Sequence, residues 1–415
     1  MQLTKVLSNI LGMKCVRVRG CEFEENGLVI HVTPATRIAR CGGCGCRCRQ
    51  LYDHRSDRRW RHLDLGGMRV ELSYDLRRID CARCGVCTEL VPWAEPDSAF
   101  THPFEQQVGY LAQRMDKTAV VELMGIAWRT VGSVVERVVK RLSPDDRLSG
   151  LRTIGIDELS YRRHHEYITI VTDHDTGKVV WAHEGKNAET LDKFFAQLGS
   201  ERCAQLRAVT IDMSQAYIKS VKAHAPYATL VFDRFHVQRL AHDALDKVRR
   251  AVVAEHQDRE QRRALKNTRF ALQKNPENLS SVERRKLATL QTTNLPLYRA
   301  YLLKEALVDV LDRRQYFVAQ DQLRGWLQWA ARSRLKPFVK VGRTIRKHMQ
   351  GILAYVTTGL SNGRAEGTNG KVRVLTRRAY GFHSAQSLIS LLFLCCSLPR
   401  LAPVRVVPNS RPLTC

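Results

Sequence analysis

The sequence is short of acid. Against 67 Lys and Arg stand only 41 Asp and Glu, which leaves a formal charge of +26 at pH 7 and a pI near 9.9. A deficit of that size, spread along the whole chain, is the footprint of a protein that binds a polyanion, most often nucleic acid. A soluble basic protein or a ribosome-associated factor would share it, so charge alone does not decide. Long apolar runs are also missing. The most apolar stretch, Leu388 to Leu398, has about half of the ~20 residues a membrane helix needs and reads as a buried terminal helix, so no membrane partner is expected. The residues Met1 to Gly12 lack a basic stretch followed by an apolar core and a small-residue cleavage site. The expected location is therefore cytoplasmic and nucleoid-associated. No internal repeat is present, and 44% hydrophobic with 26% charged residues excludes global disorder over 415 residues.

Cysteine is scarce beyond the N-terminal region. Of 13 Cys, nine lie at or before Cys87, which in a reducing compartment argues for metal ligation rather than disulfides. Cys41-Gly-Gly-Cys44 and Cys81-Ala-Arg-Cys84 form two C-x2-C knuckles whose four thiolates suit the closed tetrahedral shell of a structural Zn2+. The strands between them must fold back to bring the pairs together. Cys46, Cys48 and Cys87 are surplus, and any of them could replace a ligand. Between the knuckles, Arg47, Arg49, Arg55, Arg58, Arg59 and Arg61 interleave with Tyr52 and Trp60. Two readings stand for this stretch: cations and a stacking ring along a DNA backbone, with Arg58, Arg59 and Trp60 in contact, or a solvated basic face with Trp60 in the core. His54 and His62 read as ordinary surface or packing residues.

Alternating runs such as Leu28 to Val32 and Met68 to Leu72 predict small strands, and Pro92, Pro96 and Pro103 read as a linker. Thr118 to Val131 then reads helix, Gly-bearing turn, second helix, with Arg129 and Thr130 near the start of the second. That pattern fits a helix-turn-helix and equally an ordinary helical hairpin. From Arg152 the texture turns to strands: Thr153 to Asp157, Tyr167 to Val171, Lys178 to Trp181, Ala208 to Asp212 and Ala228 to Asp233. Short connections join the first three as an antiparallel meander. Helical stretches precede the fourth and fifth, which predicts parallel pairing. This is the order of a ribonuclease H-like core. From Phe235 to Lys340 the chain reads helical and highly charged.

Asp157 and Asp212 each end a β-branched apolar run, and Glu366 sits in the Gly/Asn-rich stretch Ser361 to Lys371. Carboxylates at the ends of neighbouring strands, with a third from a helix, can hold divalent metal through hard oxygen ligands. Two such ions would activate a water or a 3′-hydroxyl for in-line attack at phosphorus. Glu158 follows Asp157 but alternates to the opposite strand face, which makes it the weaker ligand.

These residues together resemble the ISL3-type bacterial insertion-sequence transposases of the DDE superfamily. The resemblance is carried by the two knuckles, Gly155-Ile-Asp-Glu158, Thr210-Ile-Asp-Met-Ser214, Phe232-Asp-Arg-Phe-His-Val237, Ser361-Asn-Gly363 through Glu366, and Lys371 to Phe382, and it spans almost the full length. It implies an α/β multidomain protein: a zinc-binding domain (1–91), a helix-turn-helix domain (100–143), a ribonuclease H-like core in two parts (150–235 and 342–402) and a helical insertion (236–341). It further implies Asp157, Asp212 and Glu366 as a catalytic triad binding Mg2+ or Mn2+, with Asp233 and His236 supporting the junction between core and insertion. The alternative for His236 is packing at a helix cap. DNA contacts are expected at Arg58, Arg59, Trp60, Arg129, Thr130, Lys371 and Arg373. Trp326 and Trp329 read as core ahead of base stacking. The expected function is binding of terminal inverted repeats in double-stranded DNA, cleavage, and joining of 3′ ends to target DNA by a homo-oligomer. Two rivals remain: a DNA-binding regulator with an inert core, which would leave DNA intact, and a nuclease that cuts without joining.

Overall fold

Strand alternation shapes the N-terminal region. In the run from Met68, Val70 and Leu72 turn inward while Arg69 stays exposed, the period-two pattern of a sheet with one buried face. The computed structural model describes residues 3–13, 15–144, 146–162, 166–255, 257–360, 363–378 and 384–404. It divides into two units, 1–145 with 376–415, and 146–375.

The first unit opens with helix α1 (Leu3–Leu11). It continues with strands β1 (Val16–Glu24), β2 (Gly27–Pro34), β3 (Ala39–Arg40), β4 (Arg47–Cys48), β5 (Leu51–Leu65), β6 (Met68–Cys81) and β7 (Gly85–Thr88). The large sheet runs β1-β2-β6-β5, with β7 also on β6, and β3 pairs with β4 in a separate ribbon. Gly27 turns β1 into β2 at φ +139°, and a Cβ there would lie 2.2 Å from the carbonyl oxygen of Arg69, so only glycine lets β6 approach. Leu28 to His31 pair in parallel with Val70 to Ser73. The long β5–β6 hairpin is the fold-back that returns the chain from the first knuckle to the second.

The core of this sheet is aromatic. Trp60 and Trp93 meet edge to face at 5.5 Å, and Tyr74 meets Trp93 at the same distance. The proline-punctuated stretch is not a loose linker. Trp93, Ser98 and Thr101 are fully buried, the Arg61 amide donates to the Ala99 carbonyl at 2.8 Å, and the Thr101 amide donates to the Arg61 carbonyl at 3.0 Å. Proline limits the chain's freedom there, and Trp93 anchors it to the sheet.

Helices α2 (His102–Ala112), α3 (Lys117–Met124) and α4 (Trp128–Leu142) follow. The Asp116 carboxylate accepts from the Ala119 amide at 3.0 Å and so caps α3. Gly125, at φ +58°, ends it. Helices α3 and α4 cross at 98°. α4 buries Val131, Val134, Val135, Val138 and Val139, an i, i+3, i+4, i+7, i+8 stripe. A buried carboxylate fixes α2 to α4: Glu105 accepts from Arg137 at 2.5 Å, Arg141 at 2.7 Å and the Ser98 hydroxyl at 2.8 Å. The terminal apolar helix α17 (Ala385–Cys396, numbered after those of the second unit) packs on α4. Gln113 on α2 holds the chain beyond it, donating to Leu394 and Pro399 carbonyls and accepting from the Leu401 amide. The helix is buried, as its apolarity predicts.

The second unit contains strands β8 (Thr153–Arg162), β9 (Glu166–Asp173), β10 (Val179–Glu184), β11 (Ala208–Ile211) and β12 (Thr229–Phe232) in the order β10-β9-β8-β11-β12. β8–β9 and β9–β10 are antiparallel; β8–β11 and β11–β12 are parallel. The connections carry α5 (Ala188–Leu198), α6 (Ser200–Cys203) and α7 (Gln215–His224). Helices α8 (Arg234–Glu255), α9 (Arg259–Lys266), α10 (Arg269–Gln273), α11 (Ser281–Thr293), α12 (Leu295–Leu311), α13 (Tyr316–Arg332), α14 (Lys336–Lys347), α15 (Met349–Thr358) and α16 (Gly363–Arg378) follow. Trp326 is core here, donating from its indole to the Leu303 carbonyl at 2.8 Å, while Trp329 is part-exposed. No single described helix is long and apolar enough to cross a membrane.

Glu105→Gln leaves Arg137 and Arg141 facing a neutral amide in a buried site. The variant is expected to lose about 2 to 4 kcal/mol of stability, read as a lower denaturation midpoint of the full chain; a loss under about 0.5 kcal/mol would contradict this role.

Candidate functional site

Two hairpins build a thiol cluster in the first unit. β3–β4 carries Cys41-Gly-Gly-Cys44 and β6–β7 carries Cys81-Ala-Arg-Cys84, and each knuckle is followed by a glycine in the left-handed region, Gly45 at φ +71° and Gly85 at φ +69°. The two pairs face each other because the Gly42 amide donates to the Thr88 carbonyl at 3.0 Å and the Leu90 amide to the Arg40 carbonyl at 2.7 Å. Glu89, its side chain almost fully buried, binds Arg77 through both oxygens and accepts from Tyr74, which pins the second hairpin.

One sulfur from each of Cys41, Cys44, Cys81 and Cys84 lies within 4.8 Å of the others. Zn–S bonds of ~2.3 Å in a tetrahedron separate sulfurs by roughly 3.8 Å, and Cys44 and Cys81 already stand 3.6 Å apart. Backbone amides point at the sulfurs. Those of Cys44 first, and of Gly43, help hold the Cys41 thiol down at about 6, which favours the thiolate a metal needs. The residues present therefore fit Zn2+. Cys87 stands 3.2 Å from Cys41 and Cys48 is buried beside it; burial and the charge of neighbouring sulfurs raise the Cys48 thiol to about 11. The local core is small: Ala39, Cys41, Cys48, Ile79 and Cys81.

Within the basic stretch between the knuckles, Trp60 and Arg59 are tied into the sheet while Arg47, Arg49, Tyr52, Arg55 and Arg58 are exposed. Trp60 is 2% exposed and cannot stack on a base. Arg59 is bound bidentately by Glu24 at 2.7 and 2.9 Å and by Asp57 at 3.0 Å, and those hydrogen bonds push its guanidinium even above its usual range. Arg58 donates to the Ser98 carbonyl at 3.2 Å and lies over the Trp60 ring. Trp60 and Arg59 thus brace the sheet, whereas Arg58 keeps an exposed side chain. His62 is likewise internal, 2.8 Å from the Thr101 hydroxyl, and burial lowers it to about 4. On α4, by contrast, Arg129 is exposed and Thr130 half-buried, both in the first turn of the helix.

The second unit gathers carboxylates at one end of its parallel strands. Thr210 pairs with Gly155, and Asp212 and Asp157 each stand two residues further along. Asp157 does not end its strand as the apolar run suggests. β8 continues to Arg162 because its antiparallel neighbour β9 keeps pairing beyond the point where β11 stops. Asp212 accepts from the Ser214 amide at 2.8 Å, and the Asp233 amide donates to the Ile211 carbonyl at 3.1 Å, so the end of β12 joins the group. Asp233 is buried, accepts from the Phe235 amide at the start of α8, and lies 3.9 Å from His236 Nε2.

Glu158 belongs to this neighbourhood despite its strand alternation. Burial first, then the charges of Asp212 and Asp157, raise its carboxyl, while Lys186 and His236 oppose the rise. It pairs with Thr169, whose hydroxyl is 3.0 Å from that of the buried Tyr217. Sequence reasoning missed Lys186 and Tyr217, and only a tertiary placement could have found them. Half-buried oxygen donors of like charge fit a hard divalent cation such as Mg2+. Glu366 lies in the first turns of α16, and its side chain is outside those described. Further along α16, Lys371 and Arg373 are exposed on either side of the buried Val372.

Comparison with known proteins supplies the context. Residues 154–392 match the transposase family ISL3, residues 37–84 match a zinc-finger of the transposases IS204/IS1001/IS1096/IS1165, and residues 89–139 match the helix-turn-helix domain of transposase family ISL3. The chain is 39% identical to a Mycobacterium tuberculosis protein named transposase for insertion sequence element IS1557, over 95% of this chain and 96% of that one. It is 29% identical to the Bordetella parapertussis transposase for insertion sequence element IS1001, over 92% and 95% of the two chains.

The thiol cluster predicts one zinc per chain by metal analysis, retained in Cys46→Ser and lost in Cys44→Ser, with the midpoint of thermal unfolding falling alongside the metal. Loss of zinc in Cys87→Ser together with its retention in Cys44→Ser would reassign the ligands.

Proposed function

The chain belongs to the ISL3 family of insertion-sequence transposases, and from that premise we propose that it is a DDE transposase acting by two-metal-ion phosphoryl transfer. It binds the terminal inverted repeats of its element, cleaves DNA, and joins the freed 3′ ends to target DNA. The observation that carries the reading is the register of β8 and β11, which sets Asp157 and Asp212 at equal heights beyond the last paired residues. The strand order β10-β9-β8-β11-β12, three antiparallel and two parallel, supports a ribonuclease H-like core. The helices from α8 to α14 are an insertion that separates this sheet from Glu366.

In this mechanism Asp157, Asp212 and Glu366 hold Mg2+ or Mn2+. Ions held by these carboxylates would supply acidification of the attacking hydroxyl and stabilisation of charge on the leaving oxygen. The carboxylates fix the geometry through hydrogen bonds already made, Asp212 to the Ser214 amide and Asp157 to the Glu158 amide, each at 2.8 Å. In cleavage, water attacks the phosphodiester and the 3′-oxygen leaves with a proton. In joining, that 3′-hydroxyl attacks a target phosphodiester, forming one P–O bond as another breaks and freeing a target 3′-hydroxyl. Asp233 and His236 position the start of α8 beside the strand ends. Arg129 and Thr130 lie at the start of the second helix of the helix-turn-helix, where they are placed to read the repeat. Lys371 and Arg373 hold DNA backbone next to Glu366. Because two ends must meet, the active species is a homo-oligomer on DNA.

Labelled element-end DNA tests the proposal. With Mg2+ or Mn2+ the unaltered protein should yield joined products, and Asp157→Ala, Asp212→Ala and Glu366→Ala should each reduce them by at least ~10³-fold while end binding persists. End binding without a cut under any metal condition would favour a regulator with an inert core, and cutting without joining a nuclease.

A further inference from the structure

α14 is a basic face without acid. It carries Lys336, Lys340, Arg343, Arg346 and Lys347, all exposed, whereas Phe338, Val341, Gly342 and Ile345 are buried where it packs on α8 and α13. The bias extends along the chain, since between Asp321 and Glu366 there is no Asp or Glu while nine Lys and Arg occur. Among the described residues none of the five α14 cations pairs with a carboxylate. Other basic helices of this unit differ. α9 and α11 mix their cations with Glu260 and Glu283, and Glu283 is engaged by Lys274 at 2.7 Å.

Helix stability does not account for the stripe. Arg346 and Lys347 near the C-terminus favour the helix dipole, but Lys336 in the first turn opposes it, and like charges at i, i+4 repel. A polyanion lying along the face relieves both. From Lys336 to Lys347 the stripe covers roughly 16 Å, a length over which duplex DNA presents one phosphate charge per about 1.7 Å.

The stripe also leads to the carboxylates. Lys347 Nζ donates to Gln215 Oε1 at 3.1 Å, and Gln215 opens α7 three residues after Asp212. The next helix, α15, lies on β12 so closely that a Cβ at Gly351 would stand 2.5 Å from the Phe232 ring. α14 presents only Lys and Arg as its exposed charged side chains, groups that pair with phosphate oxygens whatever the base sequence.

We infer that the outer face of α14 is a sequence-independent track for the phosphodiester backbone of target DNA, delivering it to the Asp157–Asp212 site. The inference rests on the transposase reading above, and its test separates the two. The probe is a duplex lacking any inverted repeat, and the variant is K336Q/K340Q/R343Q/R346Q, whose four sites are exposed and which spares Lys347 beside the site. Affinity for this duplex should fall at least ten-fold, and the slope of log affinity against log salt should shrink by roughly 3 to 4. In strand transfer with pre-cleaved ends, joining to target should fall while end cleavage and end binding stay at the unaltered level. An unchanged affinity and salt slope, with unchanged thermal unfolding, would overturn the inference whether or not the protein proves catalytic. Loss of end cleavage along with joining would overturn the assignment to target DNA. If the unaltered protein cuts nothing, the transposase mechanism fails while the binding arm still decides the track.

Discussion

The parallel register of β8 against β11 is the constraint on which the second unit's candidate site depends, because it sets two carboxylate-bearing residues side by side, where like charges repel. Parallel pairing of β8 with β11 leaves Asp157 and Asp212 at matched positions past the last hydrogen-bonded residues. Burial and the charge of Asp212 raise the neighbouring Glu158 carboxyl, although Lys186 and His236 act against them. Amides donate to both aspartates, yet fixed dipoles only lessen like-charge repulsion. A divalent cation, in the proposed mechanism, would relieve it. The parts around the site follow: β12 ends beside it in Asp233, α8 starts there, and α14 and α15 return the chain along its edge.

The first unit depends on a different concentration of one chemistry. Its thiol module has a core of only a few small side chains, too little apolar surface to hold two hairpins without a cross-link. Sulfurs, backbone N–H groups and the Arg77–Glu89 pair supply the fixation. The adjoining aromatic sheet and helix-turn-helix are stabilised in the ordinary way, by Trp60, Trp93 and the valine stripe of α4. The Glu105 network and the α17 brace keep α2 and α4 aligned, which leaves the start of α4 exposed.

Much of this was legible in the sequence. The two knuckles, the helix-turn-helix pattern and the five strands of the second unit follow from local chemistry: cysteine spacing, a Gly-bearing turn, and β-branched runs broken by turns. What failed to show were facts of partnership. An Arg-Trp-Arg pattern looks the same along a DNA groove and over a protein core, so Trp60 and Arg59 could be placed only once Trp93 and Glu24 were seen beside them. An apolar helix announces burial without naming its partner, which is why α17 gave no sign of packing on α4. Strand alternation turned Glu158 away from Asp157, but it could not reveal that the charges of Asp212 and Lys186 act on Glu158. The stripe on α14 was readable as charge. Its lead toward the carboxylates was not, because that depends on one contact between Lys347 and Gln215.

The central claim is that Asp157 and Asp212 jointly hold a divalent cation. Binding of Mn2+ to the zinc-loaded full chain, followed by electron paramagnetic resonance in the presence of duplex DNA, tests it without relying on turnover. The account predicts that Mn2+ bound at this site by the unaltered protein is lost in Asp212→Ala and in Asp157→Ala, with zinc content and DNA affinity unchanged. Equal Mn2+ binding by all three proteins would contradict it.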